Sequence, residues 1–335
     1  MEKVKCLRWV AKNKMILDLR DMPELGVNEA LLRVESCGVC GSDLKIIKHG
    51  NKRVKRGQIT GHEISGQLIK TNKVKNYKAG DRVSVGADIP SNKDMAIGHE
   101  LEGGFAQYMI LNKETLETGP VKKIKDLEYD LACLAEPLAC CINGFEKISF
   151  KTYDSILIMG CGPIGLMLAF LATKRGIKDI YMTDISDSRL NLIKNFDFIN
   201  SSINTKRSNL KKWIEKTTKK EGVDLIFTAN NNSKSHYQAL SILIKQGVIN
   251  FFGGLPSDAP KILVNTNQIH YQEAVLTGSH GSTPNQHSQA VELISKNRKF
   301  FKKLISKTVS IDNYQEAFES ASNSKNLKII IKPNK

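Results

Sequence analysis

The chain has 335 residues, enough for two domains, with ordinary apolar (41%) and charged (25%) content for a folded globular protein. No apolar run approaches the roughly 18 residues of a membrane span, and the N-terminus M-E-K-V-K-C-L-R-W-V lacks a signal-peptide pattern. The formal charge of +16 comes from lysines spread along the chain rather than from one stripe, and seven cysteines without disulfide spacing suit a reducing cytoplasm; no nucleic-acid or membrane partner is expected.

The first 35 residues read as β structure: V-K-C-L-R-W-V at 4–10 and A-L-L-R-V-E at 30–35, punctuated by Pro23, Gly26 and Asn28. They deliver the chain to C-G-V-C-G-S-D at 37–43, followed by G-H-E at 61–63. A thiolate, an imidazole and a carboxylate are ligand types that zinc takes. Asp43 is placed to orient His62 through its second ring nitrogen, and Ser42 to pass a proton beside a metal-bound oxygen. Taken singly, these residues read as a buried cysteine, a surface histidine and a capping aspartate; the ordered set reads as a metal site.

The set C-G-S-D … G-H-E resembles the catalytic zinc motif of the zinc-dependent medium-chain dehydrogenases, the alcohol, threonine and sugar-alcohol dehydrogenase group. The resemblance implies that Cys40, which directly precedes G-S-D, is a ligand rather than Cys37. It makes His62 the second ligand, and Glu63 either a ligand or a close partner that exchanges with water. Lys45 stands where many relatives carry a histidine that completes a proton relay from the serine. Around it lie Lys48, Lys52, Arg53, Lys55 and Arg56 with no acid between Asp43 and Glu63, a cluster that suits an acidic substrate or a solvated loop.

Residues 64–86, with I-S-G-Q-L-I-K, the A-G-D turn at 79–81 and R-V-S-V-G, resemble the family's small GroES-like β domain. The 86–103 loop has no cysteine where many relatives carry a four-cysteine zinc lobe, so no structural zinc is expected. The second G-H-E, at 98–100, reads as a decoy with His99 in a loop. A-E-P-L-A-C-C at 135–141 opens a helix with Pro137 in its first turn. By resemblance, Glu136 is the remaining zinc ligand, and a carboxylate there points to the polyol side of the family. Cys140 and Cys141 read as helix core.

The second half changes character. The apolar strand S-I-L-I-M-G at 155–160 runs into G-C-G-P-I-G and then a helix up to Gly176. In that setting the glycines are a dinucleotide fingerprint. Gly160 makes the turn, Gly162 admits the pyrophosphate, and Gly165 lets helix and strand close up, with Pro163 and Ile164 opening the helix. Strand D-I-Y-M-T-D ends in Asp184, 19 residues beyond Gly165. There a carboxylate takes the ribose hydroxyls and disfavours a 2′-phosphate, so NAD is expected over NADP. Arg189 lies over the adenine or pairs with Asp184.

Helices near 207–220 and 234–245 alternate with strands at 223–229, 248–254 and 275–279, the order of a doubly wound sheet. F-F-G-G-L-P and N-Q-I-H-Y-Q-E resemble segments at the nicotinamide end in the sugar-alcohol branch, with His270 and Tyr271 as pocket candidates or part of a packed strand pair. A helix near 285–297 and a strand at 327–332 complete the chain.

The expected fold is α/β: a GroES-like β-rich catalytic domain over 1–150, completed by about 285–335, and a Rossmann doubly wound parallel-sheet domain for NAD over 151–284. The expected activity is hydride transfer between NAD and a secondary alcohol of a polyol, cyclitol or sugar derivative, with one catalytic zinc per chain. The alternatives are oxidation of L-threonine or another alcohol, a zinc-free reductase of the same superfamily, and a catalytically silent NAD-binding protein. The substrate is a small alcohol or ketone, and relatives imply a homodimer or homotetramer.

Overall fold

The computed structural model describes residues 2–90, 95–148, 153–256 and 258–335. Part of the 86–103 loop (91–94) and the boundary expected at 150–151 lie outside them. The chain divides into two compact units, Met1–Ala139 with Gly281–Lys335, and Cys140–His280.

In chain order the elements are β1 (Lys3–Ala11), β2 (Lys14–Asp21), β3 (Glu29–Gly38), α1 (Gly41–His49), β4 (Gln58–Ile59), β5 (Glu63–Asn72) and β6 (Arg82–Val85). Then come β7 (Tyr108–Leu111), α2 (Lys113–Thr118), β8 (Val121–Lys123), α3 (Tyr129–Ala132) and α4 (Ala135–Glu146). The second unit contributes β9 (Ser155–Met159), α5 (Pro163–Lys174), β10 (Asp179–Asp184), α6 (Asp187–Ile193), β11 (Ser201–Asn204) and α7 (Leu210–Thr218). It continues with β12 (Val223–Thr228), α8 (Ser233–Leu240), β13 (Leu243–Phe251), α9 (Thr266–Gln272) and β14 (Val275–Gly278). The chain ends with α10 (Pro284–Lys296), α11 (Arg298–Leu304), β15 (Ile305–Ser310), α12 (Tyr314–Ser322) and β16 (Lys328–Lys332).

The first unit is built on a seven-stranded sheet in the order β15-β16-β3-β5-β6-β8, with β7 paired to β3, and a small sheet β2-β1-β4. Its core joins Leu32, Val34 and Cys37 of β3 to Ile64 and Leu68 of β5 and to Ile329 and Ile331 of β16. The last strand pairs antiparallel with the end of β3, Ile330 opposite Gly38 and Ile331 opposite Cys37. Strand β2 was not among the expected elements. Most of its side chains are exposed or half-buried, and it hairpins back from β1 through a Lys12–Asn13 turn with Asn13 at φ 56°, so its apolar signal is weak.

The second unit carries a six-stranded sheet, β11-β10-β9-β12-β13-β14, with parallel pairing throughout. In order of appearance this is 3-2-1-4-5-6, the doubly wound dinucleotide-binding arrangement, whose switch point falls between β9 and β12. All five residues of β9 are buried, as a central parallel strand requires. Three expected elements are corrected. The helix near 234–245 stops at Leu240, and residues 243–247 begin β13, which ends at Phe251. His270 and Tyr271 sit on helix α9, exposed, with their rings edge to face at 4.9 Å; they form neither a packed strand pair nor a pocket in this unit. No helix among the described residues is long and apolar enough to cross a membrane.

His287, on α10, is fully buried, with Nε2 3.1 Å from Ser84 Oγ. Ser84 itself donates to the Ala132 carbonyl at 2.8 Å, so the ring donates to the serine and its Nδ1 is left without a partner. Burial pushes the His287 pKa down to about 4. A histidine held neutral in the fold contributes its full stability above the unfolded value of about 6.5 and loses it as the pH falls toward 4. We expect about 3 kcal/mol of stability to disappear over that interval through this residue. Urea unfolding at pH 7 and pH 4.5 should show a smaller difference for His287→Gln than for the unmodified chain; equal differences would remove His287 as the source.

Candidate active site

Strand β3 ends at Gly38, and Cys40 follows as the residue that starts α1, in extended conformation. Asp43, in the first helical turn, reaches back to accept the Cys40 N–H at 2.9 Å through Oδ2. Asp43 therefore does cap the helix. It is also fully buried, and its other oxygen faces His62 Nδ1 at 3.6 Å. That is too long for a hydrogen bond, and both atoms lack a partner. Ser42 Oγ lies 3.3 Å from the opposite ring nitrogen, Nε2.

His62 follows Gly61, whose φ of 90° suits glycine, and a Cβ there would meet Cys37 Sγ and Phe105. Glu63 opens β5 directly opposite Gly38. A Cβ on Gly38 would overlap Glu63 Oε2, so that glycine makes the room the carboxylate occupies. Cys40, His62 and Glu63 bring one ligand atom each to within 4.8 Å of one another. Glu136 lies buried in the first turn of α4, outside this cluster but electrostatically coupled to His62 and Glu63.

The electrostatics are those of a buried site rich in anions. Burial opposes the charged form of His62, yet Asp43 and Cys40 hold its pKa well above the ordinary histidine value. Burial lifts the Glu136 carboxyl to about 7; His62 pulls the other way, and Glu63 and Asp88 add to the rise. Burial also raises Asp43, with His62 opposing. Buried polar atoms without partners are uncommon, and here Asp43 Oδ1, His62 Nδ1 and Glu63 Oε2 are three such atoms side by side. A thiol, an imidazole and a carboxylate converging at this spacing fit a divalent ion.

Two neighbours were not legible as part of the site. The loop with the second G-H-E is not remote: His99 stacks on His62 with ring centroids 5.7 Å apart. Its loop is fastened backbone to backbone on the His62 segment, with Gly103, Gly104 and Phe105 N–H groups donating to the carbonyls of Ile59, Gly61 and Thr60. Burial, reinforced by His62 and Arg53, holds His99 down to about 4. The repeated G-H-E was the signal that could have flagged it. Arg53, from the basic segment, is drawn into an ion pair with Glu100 of the same loop. The second neighbour is Lys328 of β16, which donates to Glu63 Oε1 at 2.7 Å and to the Val39 carbonyl at 3.2 Å, all buried. A lysine inside L-K-I-I-I-K was its only trace in the sequence.

In the second unit, Gly160 ends β9 at φ 128°, where a Cβ would stand 2.5 Å from the Ala229 carbonyl oxygen. A Cβ on Gly165 would overlap the Gly160 carbonyl oxygen. Gly162 has nothing within 4 Å of such a position, so the backbone at the start of α5 faces open space. Pro163 follows at the first helical position, with Ile164 after it. Asp184 closes β10 and turns back to the loop: Oδ2 accepts the Cys161 N–H at 2.9 Å, and Oδ1 accepts from Ile185 and Ser186. Burial lowers the Arg189 pKa while Asp184 counteracts it, which places the guanidinium in reach of that carboxylate.

Two family models match the chain. Residues 26–121 match the alcohol dehydrogenase GroES-like domain, and residues 163–296 match the zinc-binding dehydrogenase domain. The D-arabitol-phosphate dehydrogenase of Enterococcus avium is 28% identical, over 93% of this chain and 92% of its own length. A sorbitol dehydrogenase of Halalkalibacterium halodurans is 25% identical, over 93% of both. Among solved structures, the 2R,3R-butanediol dehydrogenase of Bacillus subtilis shares the fold with a TM-score of 0.87 at 23% identity, covering 99% of this chain and 100% of that one.

Proposed function

Since the chain belongs to the zinc-dependent medium-chain dehydrogenase family, on its sorbitol dehydrogenase-like branch, we propose that it is an oxidoreductase for a secondary alcohol of a polyol or sugar derivative, free or phosphorylated, with zinc and NAD as its cofactors. The observation that carries this is the convergence of Cys40, His62 and Glu63, with their orphaned buried atoms, on one small volume. Bound there, zinc supplies a Lewis acid for an alcohol oxygen, and the nicotinamide supplies a hydride acceptor.

The chain's own residues do the rest. Cys40, His62 and Glu136 hold the ion, with Glu63 in or beside its shell. Asp43 faces the far nitrogen of His62 and fixes which nitrogen is free for the metal. Ser42, half-buried beside His62, takes the proton of the alcohol. Lys45, one turn on and exposed, offers donors only, so the proton leaves Ser42 to water rather than to a side chain at 45. No cysteine lies between 86 and 103 to hold a second zinc.

For the dinucleotide, the helix start at Gly162–Gly165 offers N–H groups to the pyrophosphate. Asp184 keeps acceptor capacity beyond its three backbone bonds for a ribose hydroxyl, and its charge opposes a 2′-phosphate. The polyol preference rests on the arabitol-phosphate and sorbitol relatives and on a carboxylate at 136.

The test is a panel of polyols, polyol phosphates, cyclitols and L-threonine, with NAD and with NADP, alongside metal analysis. We expect about one zinc per chain, faster turnover with NAD, and a polyol or its phosphate as the best substrate. A metal-free protein inactive on the whole panel would sink the proposal; L-threonine as best substrate would move it to the amino-alcohol side.

A further inference from the structure

Lys328 sits where no exposed lysine could. It is buried, on a strand 265 residues away in sequence from Glu63, yet its ammonium bridges two segments of the metal cluster. One bond goes to the carbonyl of Val39, the residue before Cys40; the other goes to the carboxylate of Glu63, the residue after His62. The strand that carries it is fixed by its own backbone, since Val39 N–H donates to the Ile329 carbonyl at 2.9 Å. Glu63 is therefore divided. Oε1 is held by Lys328, while Oε2 is buried without a partner beside Cys40 and His62.

Resting on the zinc reading above, we propose that Lys328 is a positioning residue that sets how Glu63 meets the metal, by occupying one of its two carboxylate oxygens. With the ammonium in place, Glu63 has a single oxygen to offer an ion. Without it, both oxygens are free, and the carboxylate closes on the ion as a stronger ligand. The ammonium also balances part of the charge that Cys40, Asp43, Glu63 and Glu136 gather in one buried volume, where an unpaired carboxylate is costly. Partners one step removed from a metal govern its affinity and reactivity by about 10–100-fold.

The experiment uses cobalt(II) in place of zinc, because its visible d–d bands weaken as the coordination number rises. In Lys328→Met the bands should weaken severalfold, and a chelator should extract the metal about 10-fold more slowly. Lys328→Arg, which keeps the charge, should hold the bands near those of the unmodified protein. Glu63→Gln and the charge-neutral double variant Glu63→Gln/Lys328→Met should match each other, because the lysine acts through that carboxylate; this comparison decides the matter even if Lys328→Met fails to fold. Unchanged bands in Lys328→Met, or a further change on adding it to Glu63→Gln, would overturn the proposal. An unmodified protein that takes up no cobalt would instead break the metal reading on which it rests.

Discussion

Cys40→Ser should cost at least about 10²–10³-fold in turnover, the scale of removing one preorganised electrostatic element from a site, while NAD binding stays as it was. A serine hydroxyl does not ionise at neutral pH as a thiol near a cation does, so the anionic ligand is lost and the zinc with it. The change is small in volume and lies at the start of α1, where the Cys40 backbone N–H still caps onto Asp43. The glycine loop belongs to a different compact unit, Cys140–His280, so nothing in its geometry depends on residue 40. Zinc content, kcat and an NAD titration on one preparation make the check. Full zinc with full turnover would remove Cys40 from the metal; loss of NAD binding would mean that the two units do not keep their functions apart.

Gly165→Ala should do the reverse: zinc is kept and NAD affinity falls about 100-fold, the cost of a displacement on the order of 1 Å in a positioned site. The added methyl lands on the carbonyl oxygen of Gly160, and backbone has no rotamer by which to move aside. Helix α5 must therefore back away from β9, with an overpacking cost of about 1–3 kcal/mol. Gly162→Ala is the informative companion. Its methyl meets no protein atom within 4 Å, so the melting temperature should hold while the methyl fills the approach to the helix start. Calorimetry and NAD titration separate the two. Normal NAD binding in both variants would take the dinucleotide away from this loop.

Much of the fold was legible because the chain repeats its local signals. The all-buried β9, the glycine turn and the apolar α5 each follow from adjacent residues, and strands alternate with helices through to β14. The boundary between α8 and β13 was not legible, since S-I-L-I-K at 241–245 is apolar enough for either state and pairing with β12 decides it as strand. Helix α1 was hidden in a lysine-rich stretch, and its start depends on Asp43 folding back on Cys40.

The residue types of the metal site, their order and the dinucleotide loop were determined by the sequence alone, because ligand chemistry and glycine geometry belong to individual residues and near neighbours. The tertiary structure decided what distant segments contribute. It stacked His99 on His62, drew Arg53 of the basic segment to Glu100, and set Lys328 against Glu63. Those contacts join residues 37 to 265 positions apart, through sheet register and backbone packing, and no local pattern of side chains encodes them.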